Sequence, residues 1–293
     1  MKRALTVLIG GVAALAVAWS ATAQDAPGDE TLTDGGPDAL VIDGETLVTK
    51  IEDVPEGHPI DEIISGWEFR TPETKALSLD DFENPGFTFV DIGEELWASA
   101  DGATGESCES CHGDASESMA GVRAQMPKWN EAKGEPVTLE DQINICREER
   151  MDAEPWGWES DQMLGMTAYV GLQSRGMPVN VQTDGPMKPW YDQGKELYYT
   201  RIGQLDMACS NCHEDNYGNM IRADHLSQGQ TNGFPLYRLK WQKLGSIHRR
   251  FKGCMQNIRA VPYEVGGDEF TALELYVASR GQGLSVETPA VRN

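Results

Sequence analysis

Cys108-Glu109-Ser110-Cys111-His112 and Cys209-Ser210-Asn211-Cys212-His213 repeat the pattern C-x-x-C-H at a spacing of 101 residues. The pattern is the attachment signature of haem c: two thiols capture the vinyl groups and the histidine ligates iron. Each copy is followed by one further cysteine, Cys146 or Cys254, so all six cysteines have a place in the pattern. The motif alone also fits a disulfide or half a zinc site. Two copies with matched surroundings and an export leader argue against both.

The surroundings do match. Gly93-Glu94-Glu95-Leu96-Trp97 is echoed by Gly194-Lys195-Glu196-Leu197-Tyr198, again 101 residues on. Downstream, Ala168-Tyr169-Val170 and Ser174-Arg175-Gly176 resemble Leu275-Tyr276-Val277 and Ser279-Arg280-Gly281. Each segment reads as helix, haem motif, loop, lone cysteine and closing helix, at a period too long for a solenoid. The spacing predicts an all-α chain of two tandem cytochrome c-like domains from an internal duplication, residues 63–184 and 185–293. The linker falls near Thr183-Asp184-Gly185-Pro186. Apolar residues at helical spacing before each motif, and over 270–279, supply core faces. Two porphyrins would supply the rest. Trp129, Trp156, Trp158, Trp190 and Trp241 are candidates to wall the haems, and equally for ordinary core positions.

Lys2 and Arg3 precede an apolar run from Leu5 to Trp19, and Ala21-Thr22-Ala23 has the form of a cleavage site. Residues 1–23 therefore read as a secretory signal cut near Ala23-Gln24, and the expected location is the periplasm. The run is short for a membrane span, which needs about 20 apolar residues. Formal net charge is −23, which disfavours nucleic acid or anionic lipid as a partner. Between Asp25 and Glu56 stand ten acids and one base, so residues 24–62 read as an acidic, solvated, extended arm.

His112 and His213 are the proximal ligands. Several side chains compete for the opposite positions: Met151, Met163, Met166, Met177, Met220, Met255, His225, His248 and the two lone cysteines. Cys146 lies 34 residues past His112 and Cys254 lies 41 past His213, at equivalent places in the repeat. A thiolate on each iron explains that symmetry. A Cys146–Cys254 disulfide is the alternative, and it would join equivalent points of two separate pockets.

The symmetry breaks in charge. No acid occurs from His225 to Tyr263 in a chain with 47 of them, while Arg238, Lys240, Lys243, Arg249, Arg250, Lys252 and Arg259 do. Cys146 instead has Glu140, Asp141, Glu148 and Glu149 nearby. A basic surrounding favours a thiolate and draws small anions, and arginine grips sulfonate-like groups in a fork. It also suits docking of an acidic redox partner. Arg250 stands four residues before Cys254, on one face if the segment is helical.

Two C-x-x-C-H motifs, each with a later lone cysteine, resemble the diheme SoxA subunits of the SoxAX cytochromes of bacterial sulfur oxidation. Arg249-Arg250-Phe251-Lys252-Gly253-Cys254-Met255-Gln256-Asn257-Ile258-Arg259 is the most specific part, and the resemblance covers essentially the whole mature chain. It implies two haem c groups and a heterodimer with a small monohaem cytochrome, SoxX. It implies an L-cysteine S-thiosulfotransferase, joining thiosulfate oxidatively to a cysteine of the SoxYZ carrier with electrons passed to cytochrome c. Carried over, the first haem is held by Cys108, Cys111, His112 and Cys146, and the second by Cys209, Cys212, His213 and Cys254. Cys254 would be a persulfide intermediate and Arg250 the substrate-binding residue, with Arg249 and Lys252 as further candidates. The competing expectation is a plain diheme electron carrier in which both lone cysteines are inert ligands.

Overall fold

Two pairs of helices cross at points where no side chain fits between them, and these crossings set the frame of the molecule. The structure is a computed structural model that describes residues 37–293. The expected leader and the first part of the acidic arm lie outside the described residues.

Residues 37–62 differ from a loose arm. β1 (Val41–Ile42) pairs with β2 (Glu45–Thr46), and β3 (Lys50–Ile51) pairs with β4 (Ile63–Ile64). Leu40, Ile42 and Leu47 are buried with Trp67, while the acids of the segment face outward. The alternation Leu40-Val41-Ile42 gives one apolar face, and each fully buried side chain of that size stabilises by about 1.5–3 kcal/mol. Net charge conceals that face.

Helix α1 (Pro72–Ala76) leads to α2 (Phe87–Ala98), then to α3 (Cys108–His112) and α4 (Ala115–Ser118). A hairpin of β5 (Lys128–Asn130) and β6 (Glu135–Val137) precedes α5 (Leu139–Arg150), which carries Cys146, and α6 (Asp161–Leu172) follows. The second half repeats the order with α7 (Lys188–Tyr199) and α8 (Cys209–His213). A small hairpin, β7 (Met220–Ile221) with β8 (Asp224–His225), is added next. Then come β9 (Leu236–Arg238), β10 (Lys243–Gly245), α9 (Ile247–Asn257) with Cys254, α10 (Asp268–Arg280) and β11 (Ala290–Arg292).

The correspondence is metric. A Cβ on Gly93 of α2 would lie 2.2 Å from the Gly165 carbonyl of α6; one on Gly194 of α7 would lie 2.0 Å from the Ala272 carbonyl of α10. A cis proline bond, Met126-Pro127 or Phe234-Pro235, introduces each hairpin. Helices carry the haem motifs and lone cysteines, so the helical expectation holds where the site is concerned. The short strand pairs were not expected: at two or three residues each, they are too brief to show a period-two pattern.

The halves form one packed body. The tail leaves α10 and returns over the first half, where Val179 N–H donates to the Leu284 carbonyl at 2.9 Å and Asn84 Nδ2 to the Pro289 carbonyl at 2.8 Å. β11 then pairs in parallel with β9, which itself pairs antiparallel with β10.

Candidate haem sites and an arginine-lined cleft

The histidine-bearing helices are one turn long and are capped by their own sequence. Ser107 and Ser110 bond each other's backbone N–H at 3.0 Å, and Asn211 Oδ1 accepts the Ala208 N–H at 2.9 Å. The turn entering each helix docks on the far end of the lone-cysteine helix. Ala103 and Thr104 donate to the Asp152 and Met151 carbonyls; Gln204 and Leu205 donate to those of Arg259 and Ile258. Gly102 and Gly203 stand at these contacts with φ of +68° and +74°, and a Cβ would meet the Met151 or Ile258 carbonyl at 2.1 or 2.4 Å. Both the backbone angle and the space demand glycine. Each His/Cys pair is thus presented by two elements fastened together.

In the first site, Cys108 packs with Trp97, Met126 and Met166, and the Trp97 indole donates to the Gly113 carbonyl at 3.1 Å. Burial and the neighbouring Cys146 push the Cys108 thiol up to about 11. Gln142 Nε2 donates to Cys146 Sγ at 3.5 Å.

In the second site, an open cleft is lined by His213 and Cys254 together with Arg70, Arg238, Arg250 and Arg292. His213 Nδ1 donates to the Ser227 carbonyl at 2.7 Å, which turns Nε2 toward Cys254 as the nitrogen that could ligate iron. Gly229, at φ +79°, lies beneath that ring, and a Cβ there would meet it at 3.0 Å. Burial raises the Cys254 thiol, but Arg250, a hydrogen bond with His213, the His213 charge and Arg238 outweigh it and bring it down to about 6. The arginines around this sulfur thus favour its thiolate form.

The donor sets fit haem c: each site has two thiols one helical turn apart and an adjacent imidazole, and in the second the Cys254 sulfur is hydrogen-bonded to that imidazole. All six cysteines are free, so Cys146 and Cys254 are not joined. Met151, Met163, Met166 and Met255 are core residues, while Met177 and Met220 are exposed. His248 is fully buried with Nε2 at 3.2 Å from Glu274, remote in role from iron, whereas His225 lines the cleft. Among the tryptophans, Trp156 joins the cluster around Cys108. Trp129 and Trp190 pack on Met187 and Leu275, Trp158 stacks on His248, and Trp241 underlies Arg249.

Arg250 and Cys254 share the cleft face of α9, but Arg249 and Lys252 do not line it. A helix turns about 100° per residue, so positions five and two before Cys254 point roughly 140–160° away. Arg249 instead lies 4.3 Å over the Trp241 ring and 3.6 Å from Glu159. Lys252 is exposed. Sequence reasoning missed Arg70, Arg292 and the acid that organises the site. Asp224, one residue before the acid-free stretch, bridges Arg70 Nη1 at 2.5 Å and Arg238 Nη2 at 2.9 Å. It stands on the β7–β8 hairpin, whose Ile221, Asp224 and His225 line the cleft. The seven residues by which His213–Cys254 exceeds His112–Cys146 fall in the interval that includes this hairpin.

Comparison with known proteins agrees with this arrangement. A family profile described as SoxA/TsdA, cytochrome c domain, matches residues 92–179. The L-cysteine S-thiosulfotransferase subunit SoxA of Paracoccus pantotrophus is 53% identical, over 87% of this chain and 90% of that one. Its counterpart in Rhodovulum sulfidophilum is 50% identical over 88% and 91%. That of Pseudaminobacter salicylatoxidans is 48% identical over 99% and 98%. A chain in the crystal structure of SoxXA from P. pantotrophus superposes with a TM-score of 0.84, covering 87% of this chain and 98% of that chain. With these relatives matched along most of their length, the chain belongs to the SoxA family of L-cysteine S-thiosulfotransferase subunits.

Proposed function

We propose that this chain is the catalytic subunit of a periplasmic thiosulfotransferase and that its chemistry takes place in the Cys254 cleft. Two haem-bearing halves, 63–184 and 185–293, arose by duplication; the repeated helix crossings, hairpins and glycine-docked turns support that reading. His112 and Cys146 would hold the iron of one haem and His213 and Cys254 that of the other, with Cys108, Cys111, Cys209 and Cys212 as the thioether attachments. When bound at the second site, haem supplies a one-electron acceptor next to the reacting sulfur.

The single observation that carries the proposal is the setting of Cys254. A sulfur held as thiolate shares a cleft with four arginines, and the Arg70 Nε there is a buried donor without a partner among the described residues. Such a cleft takes a small dianion. Arg250, one turn before Cys254, holds the sulfonate end of thiosulfate in its fork. The sulfur carried by Cys254, present as a persulfide, faces the outer sulfur of the substrate. The carrier's cysteine then receives the group: thiosulfate and a thiol give the S-thiosulfonate, one proton and two electrons. The carrier is SoxYZ, and a SoxX partner with its own haem would take up the two electrons for cytochrome c. The SoxXA assembly of the Paracoccus relative supports that partner. The apolar stretch after Lys2 and Arg3 supports export.

Cys254→Ala and Arg250→Ala test the reading in the holo heterodimer with purified carrier. Mass spectrometry should find an added sulfur on the Cys254 peptide of the wild type, and thiosulfate-dependent modification of the carrier should be lost in both variants. Coupling that survives Cys254→Ala with the second haem in place would refute it.

A further inference from the structure

α5 and α9 carry the lone cysteines at equivalent positions, 108 residues apart. The residue one turn earlier on the same face is Gln142 in the first helix and Arg250 in the second. The halves thus place two different groups beside the same sulfur: a neutral amide and a guanidinium. The Gln142 amide makes contact, its Nε2 standing 3.5 Å from Cys146 Sγ, and among the described residues this is the one hydrogen bond that sulfur receives.

The charges near Cys146 in sequence are engaged elsewhere. Arg147 is buried over the Trp156 ring at 3.8 Å, donates twice to the Glu154 carbonyl, and reaches Asp101 at 2.9 Å. Glu149 pairs with Lys133 at 2.7 Å. Glu140 points into the junction between the halves, where it lines a small cavity with Arg123 and Glu274. Asp141 is spent on the N-terminus of α5, accepting from the Thr138 N–H at 3.1 Å and the Thr138 hydroxyl at 2.7 Å. Among the described residues, the group that hydrogen-bonds the sulfur is the amide.

We infer that Gln142 is a positioning residue for the first haem: its N–H orients the Cys146 sulfur toward iron and sets the potential of that haem. The inference rests on the reading of Cys146 as an axial ligand. An N–H donor on a ligating thiolate draws electron density from the sulfur, weakens its donation to ferric iron, and so favours the reduced state. A helix-borne amide whose partner is one turn along the same helix also restricts the rotamer of the cysteine. Removing the donor lowers the potential and frees the sulfur to rotate.

The test uses the full holo chain with both haems, the second serving as internal standard. Gln142→Met keeps the length of the side chain and removes the donor; Gln142→Arg keeps a donor. In Gln142→Met, spectroelectrochemical titration should show the first haem shifted to lower potential with the second unmoved, and the low-spin ferric EPR signal of the first haem should move or broaden. Gln142→Arg should bring the potential back to the wild-type value or above it. A first haem with wild-type potential and wild-type EPR signal in fully loaded Gln142→Met overturns the inference. Cys146→Ala separates the two layers: if that variant leaves the EPR signal of the first haem unchanged, the axial assignment of Cys146 fails, whatever Gln142→Met shows.

Discussion

Asp224→Asn is the sharpest single perturbation of the Cys254 cleft. The carboxylate bridges two guanidinia at 2.5 and 2.9 Å, and the side chains of Arg70 and Arg238 are each only 5% exposed. Removing one partner of a buried ion pair costs about 3–5 kcal/mol, because the opposite charge is left uncompensated. Here two cations lose their shared anion, while the amide keeps the shape and can still accept a hydrogen bond. For a chain of this size each kcal/mol moves the thermal midpoint by about 2–4 °C, so the expected fall is roughly 6–20 °C. The charge sign gives a second readout. With four arginines left facing the cleft and their one bridging acid gone, sulfite or thiosulfate should bind more tightly, and ligand should recover part of the lost stability. The pH dependence follows as well. Burial raises the Asp224 carboxyl, but the Arg70 hydrogen bond and the charges of Arg70, Arg238 and Arg250 hold it below the usual carboxylate range. A depressed pKa contributes stability above the unfolded value of about 4 and loses it as pH falls through the folded one. Wild type should therefore lose stability below about pH 4 through this group, and Asp224→Asn should lose less over that window. Calorimetry of both proteins from pH 3 to 8, with and without sulfite, checks all three points. A variant melting within 2 °C of wild type at neutral pH, with unchanged anion affinity, would refute the bridging role.

Two further outcomes follow from the junction and the crossings. Burial first, and the Glu274 charge second, push Glu140 up to about 8, with Arg123, Asp141 and His248 around the pair. A raised carboxyl contributes stability that is whole below the unfolded pKa and lost as pH rises through about 8. Glu140→Gln should therefore gain at least about 1 kcal/mol on wild type between pH 5 and pH 8.5 in denaturant titrations; parallel curves for the two proteins would contradict this. Gly194→Ala places a methyl 2.0 Å from the Ala272 carbonyl, so α7 and α10 must part, at a cost of about 1–3 kcal/mol or more. Unchanged chemical denaturation of that variant would show that the crossing tolerates a side chain.

What the sequence disclosed and what it hid follow from the range of the interactions involved. The C-x-x-C-H helices, the lone cysteines on α5 and α9, and Arg250 one turn before Cys254 are local patterns. The closing helices α6 and α10 are legible for the same reason, since helical periodicity is set within a few residues. The arm over 37–62 departs from the expected loose chain because its eight acids set the charge while Leu40, Ile42 and Leu47, buried with Trp67, set the packing. Arg70 and Arg292 enter the Cys254 cleft from distant parts of the chain, and nothing local marks either.

The acid-free stretch exaggerated the positive field for a related reason. Lys243 and Arg249 are matched by Asp161 and Glu159 of the first half, and Arg238 by Asp224, just outside the stretch. Arg250 therefore does not stand out by being one of seven basic residues. It stands out because its equivalent in the other half is Gln142. At the second cysteine Arg250 is joined by Arg70, Arg238 and Arg292 and walled by the β7–β8 hairpin, whereas the first cysteine has the neutral Gln142 amide beside it. A charged side chain one turn before the sulfur, and the seven further residues between His213 and Cys254, set the second half apart as the one whose lone cysteine sits among arginines.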